Sequence, residues 1–188
     1  NIIAWTAHLA LENIANSDAL YHDVEHTIMV TLAGQAILEG KHLSEGGVTP
    51  RAWTHFIIAL LCHDIGYVKG ICADDDAHKD TAGFAGLVRA ADFIGQLADP
   101  NRMQKCTNLF FEFEELGINK KLGYRTPGDL RACNAQFYWD VAKPYVQDAL
   151  QYLKVTHEGK QWIANLQSNV FGSDQGEDFR PDAGKKSL

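Results

Sequence analysis

The stretch Thr49-Pro50-Arg51-Ala52-Trp53-Thr54-His55-Phe56-Ile57-Ile58-Ala59-Leu60-Leu61-Cys62-His63-Asp64 decides how this chain is read. Thr49 is a cap residue and Pro50 suits the first helical position, where its missing N–H costs nothing. The residues that follow are apolar almost without interruption, so the helix they form is central and not a surface helix with one wet face. It ends by delivering an imidazole and a carboxylate, His63 and Asp64, from the interior, where a metal site would be sheltered from bulk water. Adjacent His and Asp can converge on one cation if an earlier helix supplies a third ligand.

That earlier helix is at hand. His22 and His26 in Tyr21-His22-Asp23-Val24-Glu25-His26 are four apart, the spacing of one helical face, and His26 precedes His63 by 37 positions. This leaves room for the rest of one helix, a turn and a second helix. The first long helix is expected from about Leu20 to Leu43, with Ser17 or Asp18 as its cap and both histidines in its first turns.

Helical periodicity extends through nearly the whole sequence. Ala4 to Ile14 reads as a helix. Others are expected from about Thr81 to Leu97, from Asp99-Pro100 to about Leu116, and from Thr126-Pro127 onward, with a break or kink at Pro144. Residues 145–153 and 159–170 follow as two more. No alternating strand, internal repeat or low-complexity linker stands out. The expected fold class is all-α: a single multi-helix domain over residues 1–172, with residues 173–188, rich in Asp, Gly and Lys, as a mobile tail.

The chain has 188 residues, 46% of them hydrophobic, enough for one domain with a sizeable core. Its net charge of −7 disfavours a nucleic-acid polymer as partner. No apolar run reaches the roughly 20 residues needed to span a bilayer, which disfavours a membrane-spanning protein. The N-terminus lacks the basic start of a signal peptide, and the four cysteines at 62, 72, 106 and 133 have no paired spacing. Both features fit a reduced, cytoplasmic protein. Cys62 reads as a small buried hydrophobe, since a helical residue just before His63 points about 100° away from it.

At these residues the chain resembles the HD-domain superfamily of metal-dependent phosphohydrolases, whose signature is a His, a His-Asp pair and a distant Asp. Tyr21 to His26 is also similar to the Tyr-His-Asn-x-x-His motif of cyclic-nucleotide phosphodiesterases, with Asp23 in place of Asn. Ala59 to Asp64 is similar to their Ala-x-x-x-His-Asp segment. Their following His-Pro-Gly is replaced here by Ile65-Gly66-Tyr67-Val68-Lys69-Gly70, so the likeness carries the superfamily and not its best-known substrate. It covers roughly residues 18 to 100. The fold it implies is an HD-type bundle.

The resemblance implies His26, His63, Asp64 and a later Asp as metal ligands. Asp92, within Arg89-Ala90-Ala91-Asp92-Phe93-Ile94, is the candidate, because an unpaired carboxylate in an apolar helix is costly. The alternative is an i,i+3 ion pair with Arg89. Asp99 has a capping role beside Pro100, and Asp140 is a remoter candidate. In the resembling phosphodiesterases the position of His22 donates a proton to the leaving oxygen; otherwise His22 is a cap-region histidine bonded to backbone. Asp64, between ligand and reaction, counts as catalytic beside His22.

Two imidazoles and two carboxylates leave positions on a divalent ion for water and a phosphate oxygen. This suits Mn²⁺, Fe²⁺, Mg²⁺ or Zn²⁺, one ion or two, without choosing among them. Lys69 and Arg89 are candidates for substrate phosphate contacts, against readings in which Lys69 is solvated and Arg89 pairs with an acid. Glu112, Glu114 and Glu115 could belong to a pocket wall or to a helix surface. His8, His42, His55 and His157 read as structural or exposed.

Only 28 positions separate Asp64 from Asp92, where members of the superfamily usually place another helix with further histidines. A segment therefore reads as missing from the numbering near Cys72 or Ala73; otherwise Asp74, Asp75 and Asp76 are a solvated loop. His78 reads as a loop residue in preference to a second-metal ligand. The expected activity is hydrolysis of a small phosphate ester, nucleotide or cyclic nucleotide, with a homo-oligomer possible. The alternatives are a di-iron oxygenase on the same fold, or a non-catalytic domain that binds a nucleotide or partner.

Overall fold

The structure is a computed structural model, and it describes residues 2–65 and 80–172. The expectations placed on Lys69, Cys72, Ala73, Asp74 to Asp76, His78 and residues 173–188 lie outside the described residues. Within them the chain is all-α, with no strand, as the periodicity predicts.

Among the described residues ten helices follow one another: α1 (Ile2–Ala15), α2 (Val24–Glu45), α3 (Pro50–Leu61), α4 (Phe84–Leu97), α5 (Arg102–Glu115), α6 (Ile118–Leu122), α7 (Pro127–Ala132), α8 (Asn134–Phe137), α9 (Lys143–Leu153) and α10 (His157–Phe171). A π-helical segment, Tyr138–Ala142, joins α8 to α9. The bundle is built on α2, which packs most extensively against α4, and both helices pack against α9. On α2 the buried face runs through His26, Val30, Ala33 and Ile37, at helical spacing.

Two glycines set how closely these helices approach. A Cβ on Gly95 of α4 would lie 2.9 Å from the Val30 Cα, and one on Gly40 of α2 would lie 2.0 Å from the Tyr152 carbonyl oxygen. Helix α3 forms as expected: the Thr49 side chain accepts from the Ala52 amide at 3.1 Å, Pro50 opens the helix, and Phe56, Ile57, Leu60 and Leu61 enter the core. Cys62 ends it and packs, half-buried, against that core.

Several boundaries differ from expectation. Helix α2 begins at Val24 and not near Leu20, because Asp23 is the cap: its carboxylate accepts from the His26 amide at 2.8 Å. Ser17 is used one turn earlier, where its hydroxyl accepts from the Ala19 amide. His22 therefore precedes the helix and is not on its first turn. Helix α4 starts at Phe84, since Thr81 instead donates its hydroxyl hydrogen to Asp148 at 2.5 Å.

Helix α5 starts at Arg102, and Asp99 is not a simple cap. Its Oδ1 accepts from the Asn101 amide at 2.7 Å while Oδ2 holds the Lys105 ammonium at 2.7 Å, both side chains being buried. The irregularity expected at Pro144 takes the form of the π segment Tyr138–Ala142, directly before it: the backbone stays helical from there through Lys143, and α9 continues past the proline. The short α6, bracketed by Gly117 at φ 67° and Gly123 at φ 81°, has no counterpart in the expected elements.

Candidate metal centre

Three helices bring the candidate ligands together. His26 lies in the first turn of α2, which the Asp23 cap fixes; its ring points inward and it is only 3% exposed. His63 and Asp64 lie in the turn after α3. Asp92 comes from the middle of α4, the helix packed along α2. The close approach at Gly95 and Val30 thus holds an Asp92 carboxylate against a His26 ring.

The geometry is specific. His26 Nε2 and His63 Nε2 are 3.3 Å apart. Asp64 Oδ2 is 3.2 Å from the first and 3.1 Å from the second. Asp92 Oδ1 is 3.5 Å from His26 Nε2 and 3.9 Å from His63 Nε2. Metal bonds of about 2.1 Å place neighbouring donor atoms about 3.0 Å apart in an octahedron and about 3.4 Å apart in a tetrahedron. The donor atoms of His26, His63 and Asp64 lie at this scale, and Asp92 stands slightly farther out, grouped with the two rings within 4.8 Å.

Their chemistry is as telling as their spacing. His63 Nδ1 lies 2.7 Å from the Leu60 carbonyl oxygen, so Nδ1 carries the hydrogen and Nε2 presents a lone pair to the centre. Asp64 Oδ2 is buried and makes no aligned hydrogen bond; its contacts with the two rings are close but charge-like. An imidazole lone pair and a buried carboxylate oxygen facing one another need a cation, either a proton or a metal ion. Burial would raise the Asp64 pKa, but the His26 and His63 rings outweigh it and hold the carboxyl far below the usual carboxylate range. Burial would likewise lower the His63 pKa, but the Asp64 and Asp92 carboxylates and the Leu60 carbonyl raise it. These residues fit a divalent ion.

His22 belongs to the same cluster, although not through a shared helical face. A ring nitrogen of His22 lies within 4.8 Å of ligand atoms of His26 and Asp64. Its ring meets the His26 ring edge-on at 5.4 Å between centroids. What positions it is Glu112 of α5: His22 Nδ1 contacts Glu112 Oε1, while Glu112 Oε2 accepts from the Tyr21 amide at 2.9 Å and the His22 amide at 3.5 Å. Burial would push the Glu112 pKa up, but the His22 ring and these amides hold it below the ordinary value.

In the sequence Glu112 fits a pocket wall and a helix surface equally. Its signal was the setting Phe110-Phe111-Glu112-Phe113, in which a carboxylate among aromatic side chains needs a partner, the argument applied to Asp92.

Arg89 does not pair with Asp92. Its guanidinium lies 4.9 Å over the Tyr145 ring, and Asp92 Oδ1 instead accepts from Gln96 Nε2 at 2.8 Å. Asp140 is exposed and takes a hydrogen bond from Gln136, away from the centre. Beside the centre lies a cavity of about 340 Å³, with Tyr21, His22 and Gln96 in its wall. Two of these residues touch the ligands directly, since Gln96 bonds Asp92 and the Tyr21 ring packs 5.3 Å from that of His26.

The amino-acid sequence matches the model of the Npun_R2479-like family over residues 1–78 and 73–176. The chain belongs to this family. No curated protein and no solved structure matches it. The match spans every helix from α1 to α10, so the five residues of the cluster and Glu112 all lie within the part of the chain that defines family membership. Among the described residues, no helix of this family member is long and apolar enough to cross a membrane.

Proposed function

We propose that this protein is a metal-dependent phosphohydrolase of HD type, hydrolysing a small phosphate ester or nucleotide. The observation that carries the reading is that Asp64 Oδ2 and Asp92 Oδ1 each face both His26 Nε2 and His63 Nε2, Asp64 at 3.1–3.2 Å and Asp92 at 3.5–3.9 Å. The order of these donors along the chain, His, then His-Asp, then Asp, is that of the superfamily signature. A divalent ion bound by them would lower the pKa of a water and offset charge on phosphoryl oxygens.

The chain's own residues do the rest. His63, fixed in one tautomer by Leu60, and the ionised Asp64 keep the donor atoms aimed inward. His22 stands beside the centre and at the edge of the cavity, placed to hold a proton for the oxygen that leaves phosphorus. Glu112 orients that ring, so that as water adds to phosphorus and the ester P–O bond breaks, a proton on His22 passes to the departing oxygen. Arg89, stacked on Tyr145, and Lys69 are the cations proposed for further phosphate contacts.

The test is metal analysis of protein purified without added metal, joined to a panel of phosphomonoesters, nucleotides and cyclic nucleotides. Bound divalent metal with hydrolysis that chelation abolishes is the expected result. Iron with oxygen uptake would point to an oxygenase, and ligand binding without turnover to a non-catalytic domain; either overturns the proposal.

A further inference from the structure

Among the described residues, the cavity beside His22 contains one charged side chain other than those of the cluster, and it is well buried. Arg102, at the start of α5, is 7% exposed and lines the cavity. Its Nε donates to Asn134 Oδ1 at 2.6 Å and its Nη1 to the Gln96 carbonyl oxygen at 3.2 Å. Asn134 is itself buried and anchored through its amide to the Asn169 carbonyl at 3.0 Å. Among the described residues no carboxylate pairs with Arg102. A guanidinium has five N–H donors and stays ionised at any ordinary pH. Two donors are used here, both on neutral oxygens, so the cation is oriented but not neutralised.

A buried charge without a counter-ion is costly unless something supplies one. The rest of the wall is apolar, including Leu109, Phe113, Leu130 and Phe137, and its volume is that of a small-molecule site. Gln96 joins the two regions: its carbonyl holds Arg102 while its side chain holds the Asp92 carboxylate.

We propose that this cavity is the substrate site and that it selects an organic anion with an apolar body, whose charged group is bound by Arg102. Its identification as the substrate rests on the phosphohydrolase reading; the binding itself does not. The class favoured is a phosphate monoester of an aromatic or aliphatic alcohol. A nucleoside polyphosphate brings several charges to a cavity with, among the described residues, one free cation.

The experiment measures binding of three probes by calorimetry: naphthylmethylphosphonate, which resists hydrolysis, naphthylmethanol, which lacks the anion, and methylphosphonate, which lacks the apolar body. Each is titrated into the full chain with and without EDTA. The wild type should bind the first at least tenfold more tightly than either of the others, and the preference over the alcohol should persist in EDTA. Arg102→Gln should lose roughly ten- to a hundredfold in affinity for the phosphonate and little for the alcohol. Arg102→Lys should recover part of it.

Equal binding of phosphonate and alcohol by the wild type would overturn the inference. So would an Arg102→Gln protein that is less stable but keeps its anion preference, since Arg102 would then merely cap the end of α4. If Arg102→Gln does not fold, Leu130→Trp decides: filling the cavity should abolish phosphonate binding in EDTA, and retained binding rejects the site. Metal content and turnover are read separately. Binding without metal or hydrolysis would defeat the phosphohydrolase reading and leave the anion site standing; metal and hydrolysis without Arg102-dependent binding would do the reverse.

Discussion

His26 Nε2 and His63 Nε2 face one another across 3.3 Å, with the Asp64 carboxylate oxygen almost equidistant from both. Because the Leu60 carbonyl takes the hydrogen of His63 Nδ1, the neutral ring presents a lone pair at the facing nitrogen. Replacing His63 with Asn, which can still reach polar neighbours, should therefore cost metal and not fold. Metal content falling below a tenth of the wild type, with an unchanged far-ultraviolet circular dichroism spectrum, is the expected result.

Asp92 and Asp99 should separate cleanly. Asp92→Ala removes a donor and should lose bound metal. Asp99→Ala should keep metal but lose about 3 kcal/mol of stability, because it strips the buried Lys105 of its main partner and leaves, among the described residues, Glu25 at 3.2 Å. A lost helix cap would cost only about 1 kcal/mol, so denaturant unfolding discriminates between the two roles of Asp99. Full metal occupancy in Asp92→Ala would sink its assignment.

His22→Ala should keep fold and metal while hydrolysis of a substrate with a poor leaving group slows by about 10²–10⁴-fold. An activated aryl phosphate should be affected far less, since its leaving oxygen needs little protonation. Loss of metal in this variant would make His22 a ligand instead.

Glu112→Gln tests the partner of His22. The Glu112 pKa is lowered on folding, so its contribution to stability is present above the unfolded value of about 4.3 and is lost as pH falls through the lower folded value. The difference in thermal midpoint between wild type and Glu112→Gln should be largest at neutral pH and shrink below pH ~4. A difference that is constant down to pH 3 would contradict an ionised Glu112.

Gly95→Ala should destabilise the protein by about 1–3 kcal/mol, because the added Cβ meets the Val30 backbone and pushes α4 away from α2. Since those helices carry Asp92 and His26, metal affinity should fall with stability, although no ligand has been touched. Unchanged affinity would mean that the site tolerates this displacement.

The parts of the molecule legible in the sequence are those set by local chemistry. Thr49-Pro50 announces α3 because cap and first-turn proline act within four residues, and the all-α class follows from periodicity along the chain. The start of α2 was misplaced because Ser17, Asp18 and Asp23 are all competent caps, and only the observed backbone shows which carboxylate meets an amide. Glu112 is not legible because its partners, His22 and the Tyr21 amide, are about 90 positions away. The role of Asp99 was missed for a similar reason: Pro100 advertises a cap, while its partner Lys105 lies beyond the first turn. Arg102 carried no sequence signal at all, since a cation at a helix start is ordinary until its burial is known.

The donors of the centre come from one turn of α2, the turn after α3 and the middle of α4. An ion bound there would therefore act as a reversible cross-link among three segments that no disulfide joins among the described residues. Folding and metal uptake become one linked equilibrium: an ion held by the folded chain alone adds about 2.7 kcal/mol when its free concentration is about 100-fold above its Kd. Metal supply would then set how long the protein survives as well as how fast it works, and a chelator that silences it would also loosen the bundle.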